Sequence, residues 1–113
     1  MLPKRLRIKD ASLFQKAFRG GKPFFFENIA CKALFFGNEK AKIGFALSKK
    51  LFPRAVDRNR IKRMLSRAVS EHYRDIPDGW SIVFFLKNNE ETGYDGTKKA
   101  ISGLIEKLKR YKI

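Results

Sequence analysis

The chain has 113 residues, enough for one domain over residues 1–113, and its 43% hydrophobic content with eleven phenylalanines excludes an intrinsically disordered chain. Its formal net charge of +15 predicts a polyanionic partner, which could be nucleic acid or an anionic membrane surface. No apolar run approaches the roughly 20 residues that span a bilayer, and the single cysteine, Cys31, excludes an internal disulfide and predicts a reducing, cytoplasmic setting.

The N-terminal half of the chain predicts one helix followed by three strands. Asp10 or Ser12 can cap the helix, because either side chain can accept a hydrogen bond from an amide of the first turn. The glycine pair at 20 and 21 ends the helix. Aromatic residues and apolar alternation predict the strands that follow. The helix is expected to reach residue 18, and the strands are expected at 24–26, 29–36 and 42–48.

The C-terminal half predicts a long helix, an interior strand and a second amphipathic helix. The long helix begins either after Asp57 as its cap or one turn earlier near Pro53, and it ends before Pro77. The apolar run at 81–87 is typical of a strand inside a sheet, and residues 97–110 have apolar side chains at helical spacing. The order α-β-β-β-α-β-α predicts an α+β or split α/β sandwich with helices on a four-stranded sheet.

The most informative stretch is 49–67, which contains eight basic residues and only one acid, Asp57. Apolar residues at helical spacing run through it, so the predicted helix has an apolar stripe flanked by basic surfaces. Several cations lie in its first half, where the helix dipole is already positive and each costs about 0.3–1 kcal/mol near the end. A solvated charged face does not explain this placement, and phosphate binding does.

Two motifs resemble those of a known family. Residues 48–50 (Ser-Lys-Lys), followed after seven residues by 58–63 (Arg-Asn-Arg-Ile-Lys-Arg), resemble the signature of the protein subunit of bacterial ribonuclease P. The aromatic pair Phe14 and Phe18 is similar to that family's first-helix motif. Segment order, length and basicity agree as well, so the resemblance covers nearly the whole chain.

The resemblance implies a fold and a function. The fold is a two-layer sandwich whose four-stranded mixed sheet contains a left-handed β-α-β crossover, although the general rule for such crossovers favours the right hand. The function is to bind a catalytic RNA subunit and the 5′ leader of precursor tRNA, so that the complex removes the leader and leaves the mature 5′ end. The cofactor is magnesium held mainly by the RNA subunit, with no catalytic residue and no metal ligand in the protein.

The resemblance also assigns roles to individual side chains. The expected RNA-binding residues are Arg58, Asn59, Arg60, Lys62, Arg63, Arg67, Lys49 and Lys50. The expected leader-binding cleft consists of Phe14, Phe18, Lys32, Lys49 and Arg58. The family often has an aromatic residue on the second strand, which here is Phe35 or Phe36. The aromatic run 24–26 is either core and edge-strand packing or additional stacking surface.

Two other functions compete with this one. A basic ribosomal or ribosome-assembly protein would share the charge but needs no groove for a leader. An autonomous nuclease is disfavoured, because the only histidine, His72, lies on the apolar side of the basic helix and no carboxylates have the spacing of a metal site. The partners expected are the RNA subunit and precursor tRNA, with no membrane, and the chain is expected to be monomeric without RNA because a symmetric dimer would repel itself.

Overall fold

The computed structural model describes residues 2–35, 37, 39–90 and 93–111. It confirms the predicted order of helices and strands, and it adds short 3-10 helices at Lys4–Leu6 and Tyr73–Asp75. The elements are α1 Ala11–Gly20, β1 Lys22–Phe26, β2 Ile29–Phe35, β3 Lys42–Ala46, α2 Ala55–His72, β4 Trp80–Leu86 and α3 Tyr94–Arg110. None of the helices within these ranges combines the length and the apolar character that crossing a membrane requires.

The four strands form one mixed sheet in the order β1-β2-β4-β3, which confirms the α+β class. Strand β2 pairs antiparallel with both β1 and β4, while β3 pairs parallel with β4. The parallel pair requires a crossover connection, and α2 supplies it. This β3-α2-β4 unit is the crossover for which the family resemblance implies a left hand.

The main core lies between one face of the sheet and the helices α2 and α3. It contains every second residue of the central strands, among them Cys31, Ile82 and Phe84, together with the apolar stripes of both helices. Burial raises the pKa of the Cys31 thiol to about 12, so the thiol stays protonated at neutral pH and packs as a small apolar group. The predicted two-layer packing is confirmed for this face.

Helix α1 packs on the opposite face, over β2 and β4. Ala17 of this helix and the strand residues Ala30 and Val83 are fully buried. A Cβ atom at Gly44 would lie 2.9 Å from the Phe14 ring, so glycine at this position allows the ring to lie against β3. The two faces of the sheet are therefore different surfaces, and the side chains that alternate along each strand divide between them.

Helix α1 is capped by Asp10, one of the two candidates from the sequence. Its Oδ1 accepts a hydrogen bond from the Ser12 amide at 2.8 Å. The helix continues through Gly20, two residues beyond the predicted end, and the Gly21 amide then donates to the Ala17 carbonyl at 3.0 Å. A Cβ at Gly21 would lie 2.4 Å from that carbonyl oxygen, which explains why the helix can end this way only at glycine.

Replacing Asp10 with alanine is expected to lower the free energy of unfolding by about 1 kcal/mol, because the cap of α1 is lost. The corresponding fall in Tm is roughly 4 °C, measured by thermal denaturation. Asp10→Ser keeps a hydrogen-bond acceptor at the cap and should recover most of the loss. Equal destabilisation by both substitutions would show that the cap is not what Asp10 contributes.

Helix α2 begins at Ala55 and thus follows the earlier of its two predicted starts. Arg54 occupies the N-cap position without a side-chain cap, and Asp57 lies in the first turn, where its carboxylate is favourable to the helix dipole. The predicted apolar stripe is confirmed as the buried side of the helix. Its fully buried residues are Ile61, Leu65, Ala68 and Val69.

Other boundaries differ from the sequence prediction by a few residues. Strand β3 ends at Ala46 rather than 48, because a turn begins at Ser48, whose carbonyl accepts from the Phe52 amide at 2.9 Å. Helix α3 begins at Tyr94 rather than 97, so the loop after β4 is shorter than predicted. Phe36, the last residue predicted for the second strand, lies outside the described residues.

Candidate RNA-binding surface

The exposed face of α2 presents three of the predicted polar residues next to strand β3. Asn59, Lys62 and Arg63 line a cavity of about 420 Å³ between this helix and the sheet edge. Arg7, from the N-terminal segment, lines the same cavity, and its floor is apolar. The apolar lining consists of Ile8, Phe14, Ile43 and Phe45.

Arg7 belongs to this cavity, although the sequence analysis did not predict it. The N-terminal segment runs beside the edge strand, where the Ile8 amide donates to the Ile43 carbonyl at 2.9 Å. Arg7 Nε donates to the Leu2 carbonyl at 3.0 Å, and the Leu2 amide donates to Ser66 Oγ of α2 at 3.3 Å. These bonds hold Arg7 beside the basic face of α2, which adds a cation from a distant part of the sequence.

The basic side chains of α2 differ in whether they already have a partner within the protein. Arg60 Nη2 lies 3.0 Å from Asp57 Oδ1, and Arg67 Nε lies 3.7 Å from Glu71 Oε1, with the Arg67 guanidinium 4.3 Å from the centre of the Tyr94 ring. Exposed ion pairs of this kind contribute about 0–1 kcal/mol each. Among the described carboxylates, none forms an ion pair with Lys62 or Arg63, so part of the positive charge of the helix is left without an acidic partner.

Arg58 is engaged with the loop that precedes α2. Its Nη1 donates to the carbonyl oxygens of Phe52 and Pro53 at 2.8 and 2.9 Å, and its side chain is half-buried. A guanidinium group has five N–H donors, so others remain for a ligand. In this structure Arg58 thus fixes the loop between β3 and α2, a role that the sequence did not predict.

That loop presents Lys49 and Lys50. The Ser48 hydroxyl oxygen accepts from the Lys50 amide at 3.0 Å, a local bond that shapes the turn at the end of β3. Both lysine side chains are exposed. The structure therefore places two positive charges at the end of β3, as predicted.

Next to this turn lies a groove on the α1 face of the sheet, called here the aromatic groove. Phe14 and Phe18 of α1 have ring centres 6.4 Å apart, and Phe18 meets the Phe85 ring edge-on at 5.7 Å. All three rings are half-buried and keep part of their surface open to solvent. The groove has a volume of about 310 Å³ and is lined by Phe14, Phe18, Ala46, Leu47, Ser48, Phe85 and Leu86.

Lys32 also lies on this face, as its alternation with Cys31 predicted. Its Nζ is 5.1 Å from the centre of the Phe18 ring, a cation–π contact that keeps the charge beside the groove. The structure thus brings Phe14, Phe18 and Lys32 together and places the Lys49 turn at the Ser48 end of the groove.

Two aromatic residues differ from the sequence prediction. Phe85 was treated only as part of an interior strand, although its alternation with the core residue Phe84 could have placed it on the other face. Phe35 belongs to the face opposite the groove, where its ring meets that of Trp80 at 5.3 Å. It therefore does not line the groove, and the alternative candidate, Phe36, lies outside the described residues.

Comparison with known proteins identifies the family. The model of the family described as ribonuclease P matches residues 2–109. The chain belongs to the ribonuclease P protein family. Similar relatives include the ribonuclease P protein component of Bacillus velezensis, 30% identical over 112 residues and covering 98% of this chain and 96% of that protein. That of Picosynechococcus is 34% identical over 88 residues, covering 78% and 76%.

Solved structures of this family have the same fold. The ribonuclease P protein of Thermotoga maritima matches with a TM-score of 0.79 at 22% identity, covering 95% of this chain and 98% of that one. That of Staphylococcus aureus matches with a TM-score of 0.77 at 20% identity, with the same coverage. The family and the α+β fold are thus confirmed, whereas the roles of individual residues remain predictions.

Proposed function

We propose that this chain is the protein subunit of ribonuclease P, binding both the RNA subunit and the 5′ leader of precursor tRNA. The complex cleaves the precursor endonucleolytically and releases the mature 5′ end. One observation carries the proposal: an aromatic groove with lysines at its border lies beside a helix face on which Lys62 and Arg63 have no ion-pair partner among the described carboxylates. Membership of the ribonuclease P family supports it.

The basic face of α2 binds the RNA subunit through its phosphates. Lys62 and Arg63 project from one side of the helix, and Arg7 adds a third cation across the cavity. Bound phosphates would relieve the repulsion among these charges and release counterions from the RNA. Asn59 lines the same cavity and can both donate and accept, which suits a ribose hydroxyl or a base edge.

The aromatic groove binds the leader. Unpaired bases stack on aromatic rings with about 1–3 kcal/mol per base, whatever the base identity. Phe14 and Phe18 offer neighbouring rings on one helix face, while Lys32 and the Lys49 turn supply charges for the leader backbone. This arrangement favours a single strand over a duplex, because base pairs would hide the faces that stack.

Catalysis in the complex depends on magnesium held mainly by the RNA subunit, which provides the ions for the cleavage chemistry. The carboxylates beside the basic face are committed to other partners, since Asp57 pairs with Arg60 and Glu71 pairs with Arg67 and Lys98. This supports a protein whose side chains bind and orient RNA. The same proposal includes a cytoplasmic protein that is monomeric until it meets RNA, as its net charge of +15 favours.

Reconstitution tests the proposal. The protein alone is expected not to cleave precursor tRNA, whereas the protein with the RNA subunit should cleave it at physiological magnesium. The complex should also bind precursor tRNA more tightly than mature tRNA, because only the precursor has a leader. Equal affinity for the two would contradict leader binding, and a protein that binds the RNA subunit without stimulating cleavage would fit the ribosomal-type alternative.

A further inference from the structure

Strand β1 has one aromatic side chain that the core does not use. Phe24 and Phe26 pack against the main core on the α3 side, and a Cβ at Gly103 of α3 would lie 2.3 Å from the Phe26 ring. Phe25, between them, points to the other face and remains 46% exposed. The aromatic run 24–26 therefore contains two core residues and one surface residue, and the surface residue lies on the same face as the aromatic groove.

The strand register places Phe25 in line with that groove. Phe25 is paired with Ala30 of β2, and Ala30 is paired with Phe85 of β4, so these three side chains form a row on one face of the sheet. Two strand spacings separate Phe25 from Phe85, about 10 Å between backbones. Helix α1 packs on β2 and β4 and leaves β1 beyond it, so the row ends in an exposed ring, with the fully buried Ala30 between Phe25 and Phe85.

Phe25 has the same kind of cationic neighbour as Phe18. Lys87 Nζ lies 5.4 Å from the centre of the Phe25 ring, as Lys32 Nζ lies 5.1 Å from that of Phe18. Lys107 Nζ donates to the Phe25 carbonyl oxygen, but it comes from α3 and lies 5.8 Å from the centre of the Phe26 ring, so Lys87 is the cation on the face of the Phe25 ring. A ring with a cation beside it matches a nucleotide, whose base stacks while its phosphate meets the charge.

Hydrogen bonds join the two segments that carry this site. The Lys87 amide donates to the Asn28 carbonyl at 3.0 Å, and the Asn88 amide donates to Asn28 Oδ1 at 3.1 Å. These two bonds tie the turn between β1 and β2 to the end of β4. The backbone segments that carry Phe25 and Lys87 are therefore joined before any ligand binds, which reduces the backbone entropy lost on binding.

We propose that Phe25 and Lys87 form a distal stacking site for the 5′ leader, beyond the aromatic groove. The inference rests on the proposed function, because its ligand is the same single strand. Strands β1 and β3 are the two edges of the sheet, and the basic face of α2 lies beside β3. In the proposed function the catalytic RNA subunit binds at α2, so the leader enters the groove from that side and the nucleotide at Phe25 is farther from the cleavage site than those at Phe14 and Phe18.

The test measures the affinity of the holoenzyme for precursor tRNAs with leaders of increasing length, under conditions that suppress cleavage. With the wild-type protein, affinity should rise in two stages, first when the leader fills the groove and again when it reaches Phe25. Phe25→Ala should remove the second stage, a loss of about fivefold or more for long leaders, the low end expected for one stacked base. Short leaders and mature tRNA should bind as before.

Matched variants separate stacking from other effects. Phe25→Trp keeps an aromatic face and should retain the second stage, while Phe25→Leu keeps apolar volume and should lose it. Phe35→Ala removes a ring that is 42% exposed on the opposite face and should leave both stages unchanged. Lys87→Ala should weaken only the second stage and lower its salt dependence.

The outcomes distinguish this inference from the proposed function. A Phe25→Ala complex that keeps both stages overturns the distal site while leaving the groove intact. Equal losses for long leaders, short leaders and mature tRNA would also overturn it, since they would place Phe25 in contact with the RNA subunit or in the fold. If affinity does not depend on leader length even in the wild type, the proposed leader-binding function itself fails.

Discussion

Replacing Lys62 and Arg63 together with alanine is expected to weaken assembly with the RNA subunit by about 3 kcal/mol, roughly a hundredfold. Both side chains are exposed on α2 and line the cavity beside β3, and within the described structure neither has a carboxylate partner. Each lost phosphate contact should also lower the slope of log affinity against log salt by about 0.7–0.9. Binding titrations at several salt concentrations measure both quantities.

The control for this experiment removes the same charge from another helix. Lys99→Ala with Lys109→Ala lowers the net charge equally on α3, and it should change assembly much less if the α2 face is the contact. Arg63→Ala alone should cost more than Arg60→Ala, because Asp57 already offsets part of the charge of Arg60. An unchanged salt slope when Lys62 and Arg63 are both replaced would show that these two side chains do not contact phosphates.

Replacing Phe14 with alanine is expected to reduce the affinity of the complex for precursor tRNA by about 1–3 kcal/mol, the value of one stacked base. Affinity for mature tRNA and for the RNA subunit should change little, since neither uses the groove in the proposed mode. The ring of Phe14 stacks beside Phe18 and lies against Gly44 of β3, so its loss opens the floor of the groove. Filter binding or fluorescence titration with both tRNA forms provides the comparison.

Because Phe14 is half-buried, the alanine variant also loses packing, and a second variant is needed. Phe14→Leu keeps most of the apolar volume but has no aromatic face. It should retain the Tm of the wild type within a few degrees and still lose affinity for the precursor. If the leucine variant binds precursor normally, Phe14 contributes packing and not stacking.

The spacing of apolar residues in the sequence predicted much of this structure. The apolar stripe of α2 and the alternation along β3 are local periodicities, and each alone decides between helix and strand. Element ends were less well predicted, because they depend on particular hydrogen bonds. The Ser48 turn shortened β3, and of the two starts that the sequence allowed for α2 the structure has the earlier one.

The candidate site was predicted only in part. The residue types and spacing of the α2 signature indicated phosphate binding, and the structure keeps Lys62 and Arg63 on the surface for it. The bonds of Arg58 to two loop carbonyls and the approach of Arg7 could not be predicted, because they join segments with no common pattern. The role of each side chain thus depends on its neighbours in space.

The amino-acid sequence alone determined the family and the order of the elements. It also determined that one helix carries more positive charge than its own carboxylates can offset. Composition and the spacing of apolar residues belong to each segment by itself, and they do not depend on where the segment lies in the fold. Only the tertiary structure decided which rings share a surface. Pairing β2 with both β1 and β4 aligns Phe25 with Phe85, and packing α1 on that face adds Phe14 and Phe18. Strand register and helix docking set these distances, because they join residues that are far apart along the chain.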